Sequence, residues 1–150
     1  MYNYLKDYIV ENDGIKNGKK MVFYLVGSDE INKAEIRMKK IFPDSLKEFY
    51  RQIGWGFFED ESKNFINMLM SPSDIADFYC LEGNYEYAEE REFLSENRFV
   101  FFEVDANCHI TMKLQNGIES GIFFGADKIA ESLSEFIKKM SIDTNYYDSL

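Results

Sequence analysis

The chain has 150 residues and a mass of 17.7 kDa, with 45% hydrophobic and 29% charged residues, which is the composition of one globular domain with its own core. Its 17 basic and 27 acidic side chains give a formal net charge of -10, which argues against direct nucleic-acid binding because such binding depends on neutralising phosphates with lysine and arginine. Residues 1–60 hold ten basic and ten acidic residues, so the whole excess lies in residues 61–150. This acidity serves either solubility or a basic partner.

The sequence contains no pattern typical of export or of a membrane anchor. Charged residues interrupt the apolar side chains of residues 1–11, unlike the continuous apolar core of a secretory signal. The longest apolar runs, such as 21–26 and 99–102, are far shorter than the roughly 18 residues that a spanning helix requires. We therefore expect a cytoplasmic protein in which Cys80 and Cys108 are free thiols.

The first 70 residues predict helices that alternate with short strands. In chain order we expect a helix over 2–12, a turn over 13–18 and a strand over 21–26. A second helix runs from Ser28 as N-cap to about Pro43, and a third helix follows it and ends at Gly54. Strands over 55–58 and 65–70 come next. The apolar stripes of the second and third helices are Ile31, Ala34, Met38 and Ile41, and Leu46, Phe49, Tyr50 and Ile53. Each set follows helical spacing, so it should face the core.

A helix followed by an acidic segment comes next. Ser71 is suited to cap this helix, Pro72 suits its first position, and Asp74 has a capping-box-like spacing from Ser71. Residues 82–96 then hold six glutamates and a single arginine, which is typical of an exposed, partly helical stretch. Two tyrosines, Tyr85 and Tyr87, lie inside it and either form a recognition surface or pack the segment onto the sheet.

The remaining residues predict a sheet closed by a helix. Strands over 98–104 and 109–114 form a hairpin, a third strand covers 121–124, and an amphipathic helix covers 127–140. Residues 143–150 have little to bury and should fray. The sequence therefore predicts a single α+β domain over residues 1–150, with a mainly antiparallel sheet flanked by helices.

No catalytic or metal-binding constellation emerges from the sequence. His109 is the only side chain that titrates near neutrality without perturbation, and a lone strand histidine is more often structural than catalytic. Cys80, Cys108 and His109 offer too few local ligands for zinc. The GxGxxG, GxxxxGK[ST], HExxH and GxSxG signatures are absent. We expect no catalytic residue, no metal and no cofactor.

The order of elements resembles the SUKH superfamily, which contains bacterial immunity proteins and relatives of fungal cell-wall assembly regulators. The most specific string is Ala34-Glu35 followed by Ile41-Phe-Pro-Asp-Ser-Leu-Lys-Glu-Phe-Tyr-Arg-Gln-Ile-Gly54-Trp-Gly56, which is similar to the family's helix, hydrophobic-Pro corner, second helix and glycine-containing stop. Residues 68–75 and 132–137 look like its strand-to-helix step and its closing helix. The resemblance covers about residues 28–140 and implies a SUKH-like domain.

The resemblance also implies a non-enzymatic protein that binds and neutralises a cognate toxin, commonly a nuclease. An acidic inhibitor can be steered to a basic nuclease domain and can occupy the surface that nucleic acid would contact. The residues that we expect to bind the toxin are Glu82, Tyr85, Glu86, Tyr87, Glu89, Glu90 and Glu92. Two alternatives stay open: a regulatory protein-protein interaction scaffold, and a small-molecule-binding or hydrolytic domain with a pocket lined by residues such as Trp55 and Tyr79.

Overall fold

The computed structural model describes residues 1–10, 20–59, 65–86 and 97–149, and in these residues eight strands form one sheet. The strands are β1 (Ile9–Val10), β2 (Met21–Tyr24), β3 (Trp55–Phe58), β4 (Met68–Leu69), β5 (Arg98–Asp105), β6 (Cys108–Gln115), β7 (Ile118–Phe124) and β8 (Asp127–Ala130). They lie side by side in chain order, and every neighbouring pair is antiparallel except the parallel pair β1 and β2. The predicted α+β domain with a mainly antiparallel sheet is confirmed.

Helices cover the sheet at several points of the described chain. The α-helices are α1 (Ser28–Met38), α2 (Asp44–Gln52), α3 (Pro72–Cys80) and α4 (Leu133–Ile142), and short 3-10 helices cover Asn3–Tyr8, Gly83–Tyr85 and Tyr146–Ser149. The opening helix is thus shorter than the predicted 2–12, because the chain enters β1 at Ile9. None of the helices in the described ranges combines the length and the apolar character that crossing a membrane would require.

The apolar stripe of α2 lies in the core, as predicted. Leu46, Phe49, Tyr50 and Ile53 each expose at most 1% of their surface. The stripe of α1 ends earlier than predicted, because Lys39 adopts a left-handed backbone (φ 56°) directly after Met38. The predicted burial of Ile41 is therefore wrong, and this side chain is 74% exposed.

The start of α1 also differs from the prediction by one residue. Gly27, not Ser28, is the N-cap. Its backbone N–H donates to Glu30 Oε2 at 2.6 Å, so this glutamate lies at the positive end of the helix and also closes that end through a hydrogen bond. Helix α3 begins as predicted, because Ser71 Oγ accepts a hydrogen bond from the Asp74 N–H at 3.1 Å.

The predicted helix over 127–140 is wrong in its first residues, which form β8. Ile129 is buried there, but it reaches the core from a strand that pairs with β7. Helix α4 begins only at Leu133, and Ser132 caps it by accepting the Glu135 N–H at 3.2 Å. Ile129 lies four residues before Leu133, the first buried residue of α4, so it has helical spacing from that helix by coincidence. The sequence pattern therefore predicted a helix that begins too early.

The last residues of the chain are packed, so the predicted frayed tail over 143–150 is wrong for its described part, residues 143–149. The side chain of Tyr147 is only 2% exposed, and its hydroxyl donates to Asn67 Oδ1. Asn67 in turn donates from Nδ2 to the Thr144 carbonyl at 3.2 Å, and Thr144 Oγ1 donates to the Glu59 carbonyl at 3.0 Å. Hydrogen bonds to buried polar groups thus hold the tail against the segment around Asn67.

Removing the Tyr147 hydroxyl should measurably loosen this tail. We expect Tyr147→Phe to lower the free energy of unfolding by about 1–3 kcal/mol, because Asn67 Oδ1 then loses its donor in a buried environment. Urea denaturation measures this loss. The control is Tyr4→Phe, at a residue that is 39% exposed, where we expect a change within about 0.5 kcal/mol. Equal effects of the two substitutions would contradict the anchoring role of Tyr147.

Candidate partner-binding site

Three of the seven residues predicted to bind a partner lie in the described chain, on the turn that follows α3. Leu81 ends the helix in a left-handed conformation (φ 56°), and Glu82, Tyr85 and Glu86 follow on and beside the 3-10 helix. The other four residues, Tyr87, Glu89, Glu90 and Glu92, lie outside the described residues. The structure therefore describes only the beginning of the predicted acidic segment.

Glu82 shares Arg37 with Asp77 while staying partly in solvent. Its Oε2 is 2.9 Å from Arg37 Nη2 of α1, and the same nitrogen is 2.6 Å from Asp77 Oδ1 of α3. The hydrogen bond to Asp77 raises the pKa of Arg37, so this guanidinium stays charged. The Glu82 side chain is 61% exposed, which leaves one of its faces available to a partner.

Tyr85 packs onto the fold, which is one of the two alternatives that the sequence left open. Its side chain is only 7% exposed, and its ring centre is 5.7 Å from that of Phe78 and 6.1 Å from that of His109. Burial raises the pKa of the Tyr85 hydroxyl well above its ordinary value, and the negative charge of Glu103 adds to this. Tyr85 therefore stays neutral and donates a hydrogen bond to Glu103.

The exposed edge of Tyr85 forms part of a pocket of about 420 Å³, which we call the acidic pocket. Its lining residues are Ile66, Met68, Asp74, Asn84, Tyr85, Glu103, Ala106 and Asn107. Four segments supply them: the chain entering β4, the first turn of α3, the 3-10 turn after α3, and β5 with the turn that follows it. Two of the eight are carboxylates and none is a lysine or an arginine.

The two carboxylates contact polar neighbours, which for Asp74 lie at the start of its own helix and for Glu103 lie on β6 and on the 3-10 turn after α3. Burial raises the pKa of Asp74, hydrogen bonds from Ser71 partly offset this, and the charges of Asp77 and Glu103 raise it further. Glu103 Oε1 lies 3.4 Å from His109 Nε2, and the Glu103 side chain is 12% exposed. Asp74 and Glu103 are thus partly desolvated and raise each other's electrostatic energy.

His109 is a core residue in this structure. It is 4% exposed, and its ring centre lies 4.8 Å from that of Phe78. The structural interpretation of this histidine, which the sequence favoured, therefore agrees with its position beneath Glu103. It does not line the acidic pocket.

The predicted small-molecule pocket near Trp55 and Tyr79 does not coincide with the acidic pocket. Trp55 packs its ring on Tyr24 at 4.8 Å, and the Tyr79 hydroxyl accepts a hydrogen bond from the Val100 N–H at 2.9 Å. Neither residue lines the acidic pocket. Within the part of the chain that the structure describes, no three His, Cys, Asp or Glu side chains are grouped so that they could hold a metal ion.

Sequence reasoning missed Asp74 and Glu103 as candidate functional residues. Asp74 was interpreted only as part of a helix cap, and the structure shows that it both completes the cap and faces the pocket. Glu103 could have been noticed in the sequence, because it is the single charged residue of the run 99–104 and lies between Phe102 and Val104, which are both buried. A carboxylate in such a strand requires a polar neighbour or a polar opening.

Comparison with known proteins agrees with the resemblance seen in the sequence. The model of the SMI1/KNR4 family (SUKH-1) matches residues 26–139, which include the acidic pocket. Immunity protein YxxD of Bacillus subtilis (strain 168) is 28% identical over 136 residues, which cover 89% of this chain and 92% of that protein. No solved structure matches the chain. Since the family model spans most of the sequence, the chain belongs to the SMI1/KNR4 family (SUKH-1).

Proposed function

We propose that this chain is an immunity protein that binds a cognate protein toxin and neutralises it by occupying the toxin's surface. The observation that carries the proposal is the similarity to immunity protein YxxD, which extends over 92% of that protein's length. Such a protein acts by binding without turnover, so it requires neither a catalytic residue nor a cofactor. We further propose that the target is a basic nuclease domain in the cytoplasm of the cell that makes the immunity protein.

The charges of the described residues support a basic target. Six carboxylates belong to α3, to the turn after it and to β5, and we call this group the acidic surface: Asp74, Asp77, Glu82, Glu86, Glu103 and Asp105. Arg37 neutralises part of it through Asp77 and Glu82. A surface of one dominant sign accelerates encounter with a partner of the opposite sign and repels phosphates that compete for the same partner.

Co-expression with candidate toxin domains, taken first from genes beside this one, tests the function. We expect this chain to restore growth of cells that make the toxin, and we expect the purified pair to bind with a Kd that rises as salt is raised from about 0.05 to 0.5 M, because salt screens charges on exposed surfaces. A chain that neither restores growth nor binds the toxin would contradict the proposal and favour the scaffold hypothesis.

A charge-matched pair of variants tests the surface. Glu82→Gln with Glu86→Gln should slow association with the toxin, and Glu82→Gln keeps an oxygen that can accept from Arg37. The control is Asp29→Asn with Glu131→Gln, which removes the same two charges from side chains that are 73% and 72% exposed in other parts of the fold. If both pairs slow association equally, net charge rather than this surface governs recognition.

A further inference from the structure

We propose that the acidic pocket receives one arginine side chain of the partner, whose guanidinium pairs with the carboxylates of Asp74 and Glu103. This inference rests on the proposed function, because the arginine belongs to the toxin domain that the chain binds. It assigns a chemical role to a pocket in which Asp74 and Glu103, rather than the predicted glutamates after α3, supply the negative charge.

The pocket has the dimensions and the mixed lining that such a side chain needs. Its volume of about 420 Å³ lies within the range of about 300–1,000 Å³ that is usual for binding pockets. Ile66, Met68 and Ala106 offer apolar surface for the aliphatic stem of an arginine. The carboxylates supply the charge, so one side chain finds an apolar wall and an anionic wall in the same pocket.

The polar groups match a planar, multiply donating cation. A guanidinium carries five N–H donors and no acceptor, and it pairs with carboxylates in fixed geometry. Asp74 and Glu103 accept such bonds, and the side-chain oxygens of Asn84 and Asn107 at the rim can accept more. A compact ammonium has three donors and cannot reach acceptors on several walls at once, so we commit to arginine rather than lysine.

The described lining of the pocket holds two carboxylates and no lysine or arginine. Tyr85 donates to Glu103, and Glu103 Oε1 also lies 3.4 Å from His109 Nε2, while hydrogen bonds from Ser71 partly offset the burial that raises the pKa of Asp74. The repulsion between Asp74 and Glu103 is relieved when a cation enters between them. Partial burial strengthens this attraction, because a pair shielded from water is screened less by salt.

A test on the chain alone uses an arginine probe and an uncharged analogue. The full chain, labelled at its methionine methyl groups, is titrated with Nα-acetyl-arginine methylamide and, separately, with the nearly isosteric citrulline compound. We expect the arginine probe to shift the Met68 resonance in a saturable way, while Met21 on β2 serves as the internal reference. Equal shifts with citrulline, or no shift with either compound, would overturn the proposal, as would a Met68 shift caused by Mg²⁺ or Ca²⁺ but not by arginine.

Variants connect the pocket to toxin binding. We expect Asp74→Asn with Glu103→Gln to abolish the arginine response and to weaken the complex with the neighbouring toxin domain at least about tenfold. Both amides keep an oxygen that can accept the existing hydrogen bonds, and thermal unfolding of the single variants checks that the fold is retained. Asp29→Asn with Glu131→Gln is the matched control and should leave the arginine response intact.

The two measurements separate this inference from the function on which it rests. If the unmodified chain binds the toxin but the pocket variant binds it equally well, the arginine pocket is wrong and the proposed function stands. If the unmodified chain does not bind the toxin, the proposed function is wrong, and the response to the arginine probe then decides alone whether the pocket recognises a guanidinium.

Discussion

Replacing Gly56 with alanine is expected to destabilise the protein by at least about 3 kcal/mol. A Cβ at this position would lie 2.0 Å from the carbonyl oxygen of Val22 and 2.8 Å from the Cα of Phe23, both of which belong to the backbone of the paired strand β2. Strain at one residue costs about 1–3 kcal/mol, and each ladder hydrogen bond that is broken to relieve it adds about 1 kcal/mol. Urea denaturation at 25 °C measures the loss.

Gly125→Ala is the control for this substitution. Gly125 has a positive φ of 62°, but a Cβ there would meet no atom within 4 Å, so only the left-handed backbone is penalised, at about 1–2 kcal/mol. The difference between the two variants therefore reports the close approach of β3 to β2. Similar losses in both variants would show that β2 can move away from β3 without harm, which the buried pairing in this region argues against.

Phe78→Ala should cost about 3–5 kcal/mol and should also disturb the acidic pocket. The Phe78 ring is fully buried and lies 5.5 Å from Tyr79, 5.7 Å from Tyr85 and 4.8 Å from His109, measured between ring centres. Removing the Phe78 ring leaves a cavity next to Tyr85, which lines the acidic pocket. Since domains of this size are stable by only about 5–15 kcal/mol, the variant should be folded but marginal at 25 °C.

Two readouts check this prediction. Urea denaturation gives the stability loss, and the Met68 methyl resonance reports whether the pocket wall has moved. Phe78→Leu, which keeps most of the apolar volume, should lose less stability and should leave the Met68 resonance closer to its original position. An unchanged Met68 resonance in Phe78→Ala would mean that Tyr85 is held in place by other contacts.

The parts of the fold that could be predicted are those governed by local rules. The stripe from Leu46 to Ile53, the Ser71 cap and the hairpin of β5 and β6 follow from helical spacing, capping chemistry and strand composition. The start of α4 obeyed a local rule too, because Ser132 followed three residues later by Glu135 is a capping pattern. The longer periodic stripe that includes Ile129 concealed it.

The packed tail could not be predicted, because its partners are distant in sequence. Tyr147 and Thr144 bond to Asn67, which lies about eighty residues earlier. A tyrosine and a threonine near a chain end show no periodicity, and only tertiary structure supplies the buried amide that they need. The prediction of fraying therefore followed from counting apolar residues, whereas the segment is held by these hydrogen bonds and by the buried ring of Tyr147.

The candidate site was predicted only in its chemistry. The sequence assigned partner binding to one continuous acidic segment, because the excess of acid lies in the later part of the chain. Asp74 and Glu103 are separated by 29 residues in the sequence and line the same pocket in the fold. No spacing rule connects a helix cap with a strand residue, so the pocket emerges only from the fold.

The order of the strands in the sheet has a consequence for how the chain reaches its final form. Strands β5 to β8 follow one another with only two residues between each pair, so closing their turns loses little chain entropy, and we expect this meander to form early. Glu103 belongs to that early unit, whereas Asp74 arrives with α3. The two carboxylates meet only when α3 docks, so we expect the proposed arginine pocket to be completed late in folding.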